Sequence, residues 1–169
     1  QAFAKVFECL SSYPLISKDL GEHFYSAHLC ECPGAFINSI NHYLKLHHPH
    51  TKFQYIATTL NPYFEGNRLG NMILDDRFIL HTLENWFFGE TYNGDILEVT
   101  NIKSLLAHCQ DLEINLVTCD GSIDCLDEPE NQELIVSKLH IAELVTALAL
   151  LSNNGSLLLK IFTFFELTT

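Results

Sequence analysis

Three runs of strand-forming apolar residues each lead into polar or turn-forming residues, and that repetition constrains the chain most. His28-Leu29-Cys30 runs into Glu31-Cys32-Pro33-Gly34-Ala35-Phe36, and Ile114-Asn115-Leu116-Val117-Thr118 into Cys119-Asp120-Gly121-Ser122. The third run, Leu157-Leu158-Leu159-Lys160-Ile161-Phe162, carries a lysine among residues that otherwise read as a buried strand. An isolated lysine there would bury its stem and turn its amine to water. Lys160 is grouped with the polar ends of two other buried strands, and the carboxyl ends of strands are where open α/β sheets bind ligands. A lysine between a desolvating strand and a carboxylate is a candidate proton acceptor.

The rest of the pattern alternates helix with strand. Phe3, Val6, Phe7 and Leu10 predict a helix over Ala2 to Leu10 that carries Lys5 and ends before Pro14. After the first strand, Phe36, Ile37, Ile40, Tyr43 and Leu44 predict a second helix, up to the loop His47-His48-Pro49-His50. A strand is expected over Phe53 to Thr58, broken by Asn61-Pro62-Tyr63. An irregular stretch from Gly66 to Thr100 follows, with a short strand near Ile96 to Val99. Ile102 to Cys109 reads as a helix, Ile114 to Thr118 as a strand and Gln132 to Leu151 as a long helix. Asn153-Asn154-Gly155 reads as the turn into a last strand, Ser156 to Thr163. Such alternation predicts an α/β fold, a mainly parallel, doubly wound sheet flanked by helices, with residues 1–169 forming a single domain.

Composition narrows the class. With 169 residues and 47% hydrophobic content, the chain can bury one substantial core. The longest apolar segment, Leu134 to Leu151, is interrupted by Lys138, His140 and Glu143 and reads as a buried amphipathic helix, not a membrane span. No secretory signal opens the chain at Gln1, and the expectation is an internal fragment of a longer intracellular protein. Six cysteines without Cys-x-x-Cys spacing read as reduced thiols. A formal charge of −12 argues against a broad nucleic-acid footprint, which normally needs clustered Lys and Arg. The histidine loop, the Cys30/Cys32 pair and the acidic stretch Asp124 to Glu130 each lack a complete ligand set, so no metal is expected. Pro33-Gly34 opens a helix after a strand, where glycine lets a ligand approach backbone N–H donors. No G-x-G-x-x-G or phosphate-loop motif occurs, which disfavours a dinucleotide oxidoreductase on the same architecture.

Lys5, the Glu31-Cys32-Pro33-Gly34-Ala35-Phe36 turn, Cys119-Asp120-Gly121-Ser122 and Leu159-Lys160 together resemble the RrmJ/FtsJ-type ribose 2′-O-methyltransferases. The likeness continues through Leu29 to Ile37, Asn41-His42-Tyr43-Leu44-Lys45, Thr59-Leu60-Asn61-Pro62-Tyr63 and Leu158 to Thr163, which are similar to the branch of that family acting on capped eukaryotic mRNA. The resemblance implies a Rossmann-like S-adenosylmethionine-dependent fold and 2′-O-methylation of the second transcribed nucleotide. The first nucleotide, another RNA ribose, or a catalytically silent interaction module are the alternatives. It implies catalytic roles for Lys5, Asp120 and Lys160. Cofactor contacts would come from Glu31, Pro33, Gly34, Ala35, Phe36, Asp95 and Asp120. Where many relatives carry an acidic residue after the second strand, this chain has Thr58-Thr59-Leu60-Asn61, so the ribose contact passes to Asn61 or a backbone group. The family's fourth catalytic residue, a glutamate, and the last part of the sheet are expected beyond this chain, because Glu166 follows Lys160 too closely. The implied partner is the capped 5′ end of mRNA, held partly by other regions of the parent protein, with no membrane and a nuclear and cytoplasmic location.

Overall fold

The computed structural model describes residues 1–68, 70, 72–123 and 132–161. Four parallel strands form its sheet: β1 (His23–Leu29), β2 (Lys52–Ala57), β3 (Ile114–Cys119) and β4 (Leu151–Leu159), in the order β2-β1-β3-β4. The chain moves from β1 to one side for β2 and returns to the other side for β3. The order therefore reverses between β1 and β3, the place where open sheets form a ligand crevice. Helices α1 (Ala2–Ser12) and α2 (Ala35–His47) cover one face, where Val6, Leu10, Phe36, Ile40 and Leu44 meet Phe24 and Leu116. On the other face α4 (Val99–His108) and α5 (Gln132–Leu150) bring Leu105, Leu139, Ala147 and Leu150 against Ala27, Leu29, Ile114 and Val117. Helices on both faces explain why the strands read as nearly continuous apolar runs.

A short helix, α3 (Arg77–His81), and a 3-10 turn at Leu83–Asn85 lie between β2 and α4. Beyond them Trp86 pairs with Ala57, and the Phe87 N–H donates to the Ala57 carbonyl at 2.8 Å. This edge pairing draws the following loop along β2 and sets Gly94-Asp95 beside Thr59.

Three expectations need correction. The first strand begins at His23, five residues before the predicted His28, because Ser26 and His28 are buried polar residues that break the apolar pattern. Their cost is offset within the sheet: the His28 ring bonds Ser26 Oγ at 2.6 Å through Nε2 and Thr118 Oγ1 at 2.7 Å through Nδ1. Burial pushes the imidazole down to about 3, so it is neutral. No strand forms at Ile96 to Val99. Asp95 Oδ1 accepts the Leu97 N–H at 2.9 Å in a tight turn, and α4 starts at Val99. The turn at Asn153 to Gly155 lies inside β4. Ile114 pairs with Leu151 and Leu116 with Ser156, so the extra residues loop out, with Asn154 at φ 65°. The predicted strand end at Phe162-Thr163, the acidic stretch 124–130 and Glu166 fall outside the described residues.

The five described cysteines form no disulfide. No helix among the described residues is long and apolar enough to cross a membrane.

Candidate active site

Parallel pairing brings two strand ends together. Cys119 is in register with Leu159, so the next residues, Asp120 and Lys160, leave adjacent strands side by side. The Lys160 N–H donates to the Cys119 carbonyl at 3.0 Å, and the Asp120 N–H to the Leu29 carbonyl at 3.1 Å. Lys160 Nζ then forms an ion pair with Asp120 Oδ1 at 2.6 Å and donates to the Asp120 backbone carbonyl at 3.1 Å. The lysine side chain keeps 37% of its surface exposed, enough to meet a substrate.

The pair lies in a cleft of about 540 Å³ at the carboxyl ends of the strands. Cys30 follows β1, Thr59 and Leu60 follow β2, and Asp95 also lines the cleft, with Met72, Ile73, Ile96 and Leu139 supplying apolar surface. Gly94 is fixed there by φ 74° and by close packing, since a Cβ would collide with the Thr59 carbonyl oxygen. Mostly apolar walls with a few convergent polar groups, at a volume within the roughly 300–1,000 Å³ of small-molecule sites, fit a nucleoside-sized ligand.

The turn after β1 is built differently from the cleft wall. Cys30 leaves the strand at φ 57°, the Cys32–Pro33 bond is cis, and Gly34 stands at φ 96° immediately before α2. Glu31 is buried and points under that helix, where Oε1 accepts the Phe36 N–H at 2.8 Å and the Ile37 N–H at 3.2 Å. These are two of the donors a helix N-terminus leaves unpaired. Burial pushes the Glu31 carboxyl up to about 8, against the two N–H bonds that favour its charged form. A Cβ on Gly34 would strike the Phe78 ring of α3.

The model of the FtsJ-like methyltransferase family matches residues 1–169. The chain belongs to the FtsJ-like methyltransferase family. Such enzymes are generally S-adenosylmethionine-dependent. The chain is 50% identical over 170 residues to the cap-specific mRNA (nucleoside-2′-O-)-methyltransferase 2 of Drosophila melanogaster, covering 98% of this chain and 24% of that protein. Against the Mus musculus protein of the same name the identity is 46% over 169 residues, with 98% and 22% covered. A "Probable methyltransferase" of African swine fever virus is 34% identical over 148 residues, 79% of this chain and 33% of that protein. The chain thus spans less than a quarter of the length of the two animal relatives.

Within this FtsJ-like domain the cleft gathers Asp95, Asp120 and Lys160 from the expected site residues. Lys5 is exposed on α1, and it is not among the side chains lining the cleft. Glu31, Pro33, Gly34, Ala35 and Phe36 form the turn and the start of α2 and do not line the cleft in this structure. The Asn61 amide is engaged within its own loop, donating to the Tyr92 carbonyl at 2.7 Å and accepting the Tyr63 N–H at 2.9 Å. Sequence reasoning missed Glu143 of α5, whose Oε1 accepts the Gly121 N–H at 2.8 Å directly behind Asp120. Its signal was present, a carboxylate in the middle of an otherwise apolar helix. In the sequence that position speaks only against a membrane span.

Proposed function

We propose that the full-length protein transfers a methyl group from S-adenosylmethionine to the ribose 2′-hydroxyl of the second transcribed nucleotide of capped mRNA. The observation that carries the reading is the Asp120–Lys160 pair at 2.6 Å, half-open to a nucleoside-sized cleft at the sheet's switch point. The family membership and the animal relatives named for cap-specific 2′-O-methylation support it.

When bound, S-adenosylmethionine supplies an electrophilic methyl carried on a sulfonium centre. Asp95, in the same cleft as the ion pair, offers a carboxylate to amine or hydroxyl donors of the nucleoside part. The backbone of Thr59 and Leu60 and the apolar side chains of Ile96 and Leu139 would hold its faces. A ribose hydroxyl is a weak nucleophile, so its orientation and the removal of its proton limit the reaction. Lys160 Nζ orients the hydroxyl and, in its neutral amine form, accepts that proton. Asp120 fixes the lysine through its carboxylate and its carbonyl, which keeps the amine aimed along one direction.

The charge of the chain suits a short substrate. With 9 Lys and Arg against 21 Asp and Glu, it cannot hold long RNA by counterion release. A capped 5′ end bound with the help of other parts of the full-length protein meets that restriction. The test is radiolabelled methyl transfer by the full-length protein to capped and uncapped transcripts, with and without prior methylation of the first nucleotide. Nuclease digestion and mass spectrometry then locate the label. Label at the second nucleotide of capped RNA is expected. Label confined to the first nucleotide, or equal transfer to uncapped RNA, overturns the substrate and leaves the reaction type standing.

A further inference from the structure

The peptide linking Asp120 to Gly121 is held at both ends. Its carbonyl accepts Lys160 Nζ at 3.1 Å, and its N–H donates to Glu143 Oε1 at 2.8 Å. In a trans peptide these two groups point in opposite directions, so fixing the N–H fixes the direction of the carbonyl. Glu143 reaches this point from the middle of α5 and is wholly buried, with the Cys30 thiol beside its carboxyl. It does not line the cleft. A carboxylate in that position is costly to bury, and substrate binding does not explain it. Both of its oxygens lie against Gly121, where a Cβ would stand 2.6 Å from each.

The geometry points to Glu143 as a positioning residue that locks the Asp120–Gly121 peptide, and through its carbonyl aims Lys160 at the substrate hydroxyl. The inference rests on the proposed methyl transfer for its catalytic consequence, but the link from Glu143 to Lys160 stands without it. Burial pushes the Glu143 carboxyl up to about 7, opposed by the Gly121 N–H, the Cys30 thiol and the charge of Lys160. The group therefore gives up little by becoming an amide, provided an oxygen still faces Gly121. Glutamine keeps that acceptor, and leucine of similar size does not.

Two readouts on the full-length protein separate this role from simple support of the fold. The first needs no substrate: brief labelling with an amine-reactive reagent, with the Lys160 peptide quantified by mass spectrometry against exposed Lys103 on α4. Glu143→Leu is expected to raise Lys160 labelling several-fold, while Glu143→Gln leaves it unchanged. The second is kcat per cofactor-binding site, counted by calorimetry. A loss of about 10–100-fold is expected for Glu143→Leu and less than about threefold for Glu143→Gln, with KM for the methyl donor steady in both. If Glu143→Leu yields no folded protein, Gly121→Ala breaks the same contact from the other side and is expected to raise labelling and lower kcat alike. The inference is overturned if the contact-breaking variant keeps wild-type labelling, or if Glu143→Gln labels like Glu143→Leu. Raised Lys160 labelling in Glu143→Leu, with a wild-type protein that fails to methylate capped RNA, would instead overturn the proposed function and retain the coupling.

Discussion

Glu31 offers a direct test of whether the turn after β1 serves the helix or the ligand. Its Oε1 is the acceptor for the N–H groups of Phe36 and Ile37, both buried. Glu31→Ala leaves two buried donors unpaired at about 1–3 kcal/mol each, so a loss of about 2–6 kcal/mol is expected around α2. Glu31→Gln keeps the accepting oxygen and should cost less than about 1 kcal/mol. The pH dependence sharpens the contrast. Burial raises the carboxyl from 4.5 to about 8, so between those values the folded chain holds a proton that the unfolded chain has released. The stability this contributes is complete below about pH 4.5 and is lost as pH rises through about 8, at no more than about 1.4 kcal/mol per pH unit. Glu143, raised to about 7, adds a slope of the same sign over a narrower window. Glutamine at position 31 has no proton to lose, so the fall in stability from pH 5 to 8 should become shallower by Glu31's share alone. Hydrogen-exchange protection of the α2 amides in the full-length protein measures both effects, and calorimetry with S-adenosylmethionine measures the third: affinity within about twofold of wild type for Glu31→Gln. An unchanged pH slope, or α2 protection lost as fully as in Glu31→Ala, refutes the buried-proton account. A tenfold loss of affinity would show that the charge serves the ligand.

Two further substitutions probe the cleft. Lys160→Ala in the full-length protein is expected to reduce methyl transfer by about 10²–10⁴ while cofactor affinity stays near wild type, and near-normal turnover on capped RNA would sink its assignment as proton acceptor. Gly34→Val faces both a left-handed backbone at φ 96° and the ring of Phe78, whereas Asp95→Ala removes one acceptor from the cleft wall. Calorimetry should therefore find the weaker S-adenosylmethionine binding in Gly34→Val, and wild-type affinity in both variants would remove this turn and Asp95 from the cofactor site.

The parallel α/β architecture was legible because helices cover both faces of the sheet, leaving β3 and the second half of β4 as mostly apolar runs. What hid the start of β1 was chemistry internal to the sheet: Ser26, His28 and Thr118 satisfy one another across β1 and β3, and no single strand's pattern reveals that partnership. The false strand at Ile96 has a similar origin. Asp95, Asn93 and Asn101 tie that loop together, with the Asn101 amide donating to Asn93 Oδ1 at 2.9 Å and to the Asp95 carbonyl at 3.0 Å, and these side-chain bonds outweigh a short apolar segment. Lys160 and Asp120 could be singled out as strand-end residues. That they form a pair depends on β3 and β4 being neighbours, which is a property of the sheet order. Glu143 escaped for the same reason, since its partner is a backbone N–H 22 residues away on another element.

The sheet order also makes the site sensitive to register in a way that can be tested. Lys160 meets Asp120 because Leu157, Leu158 and Leu159 sit opposite Val117, Thr118 and Cys119 in β3. One residue along a strand is about 3.3 Å and reverses the side-chain direction, so a single slip would carry the lysine out of reach of a 2.6 Å ion pair. The loop-out between Leu151 and Ser156 separates this register from the start of β4 at the end of α5. Inserting one alanine between Asn153 and Asn154 should therefore be absorbed in the loop-out, leaving methyl transfer within about threefold of wild type. The same alanine inserted between Leu159 and Lys160 should abolish transfer while far-ultraviolet circular dichroism shows the fold retained. Equal damage from both insertions would mean that β4 is not held by its apolar residues against β3, and that the Asp120–Lys160 pair depends on the loop-out instead.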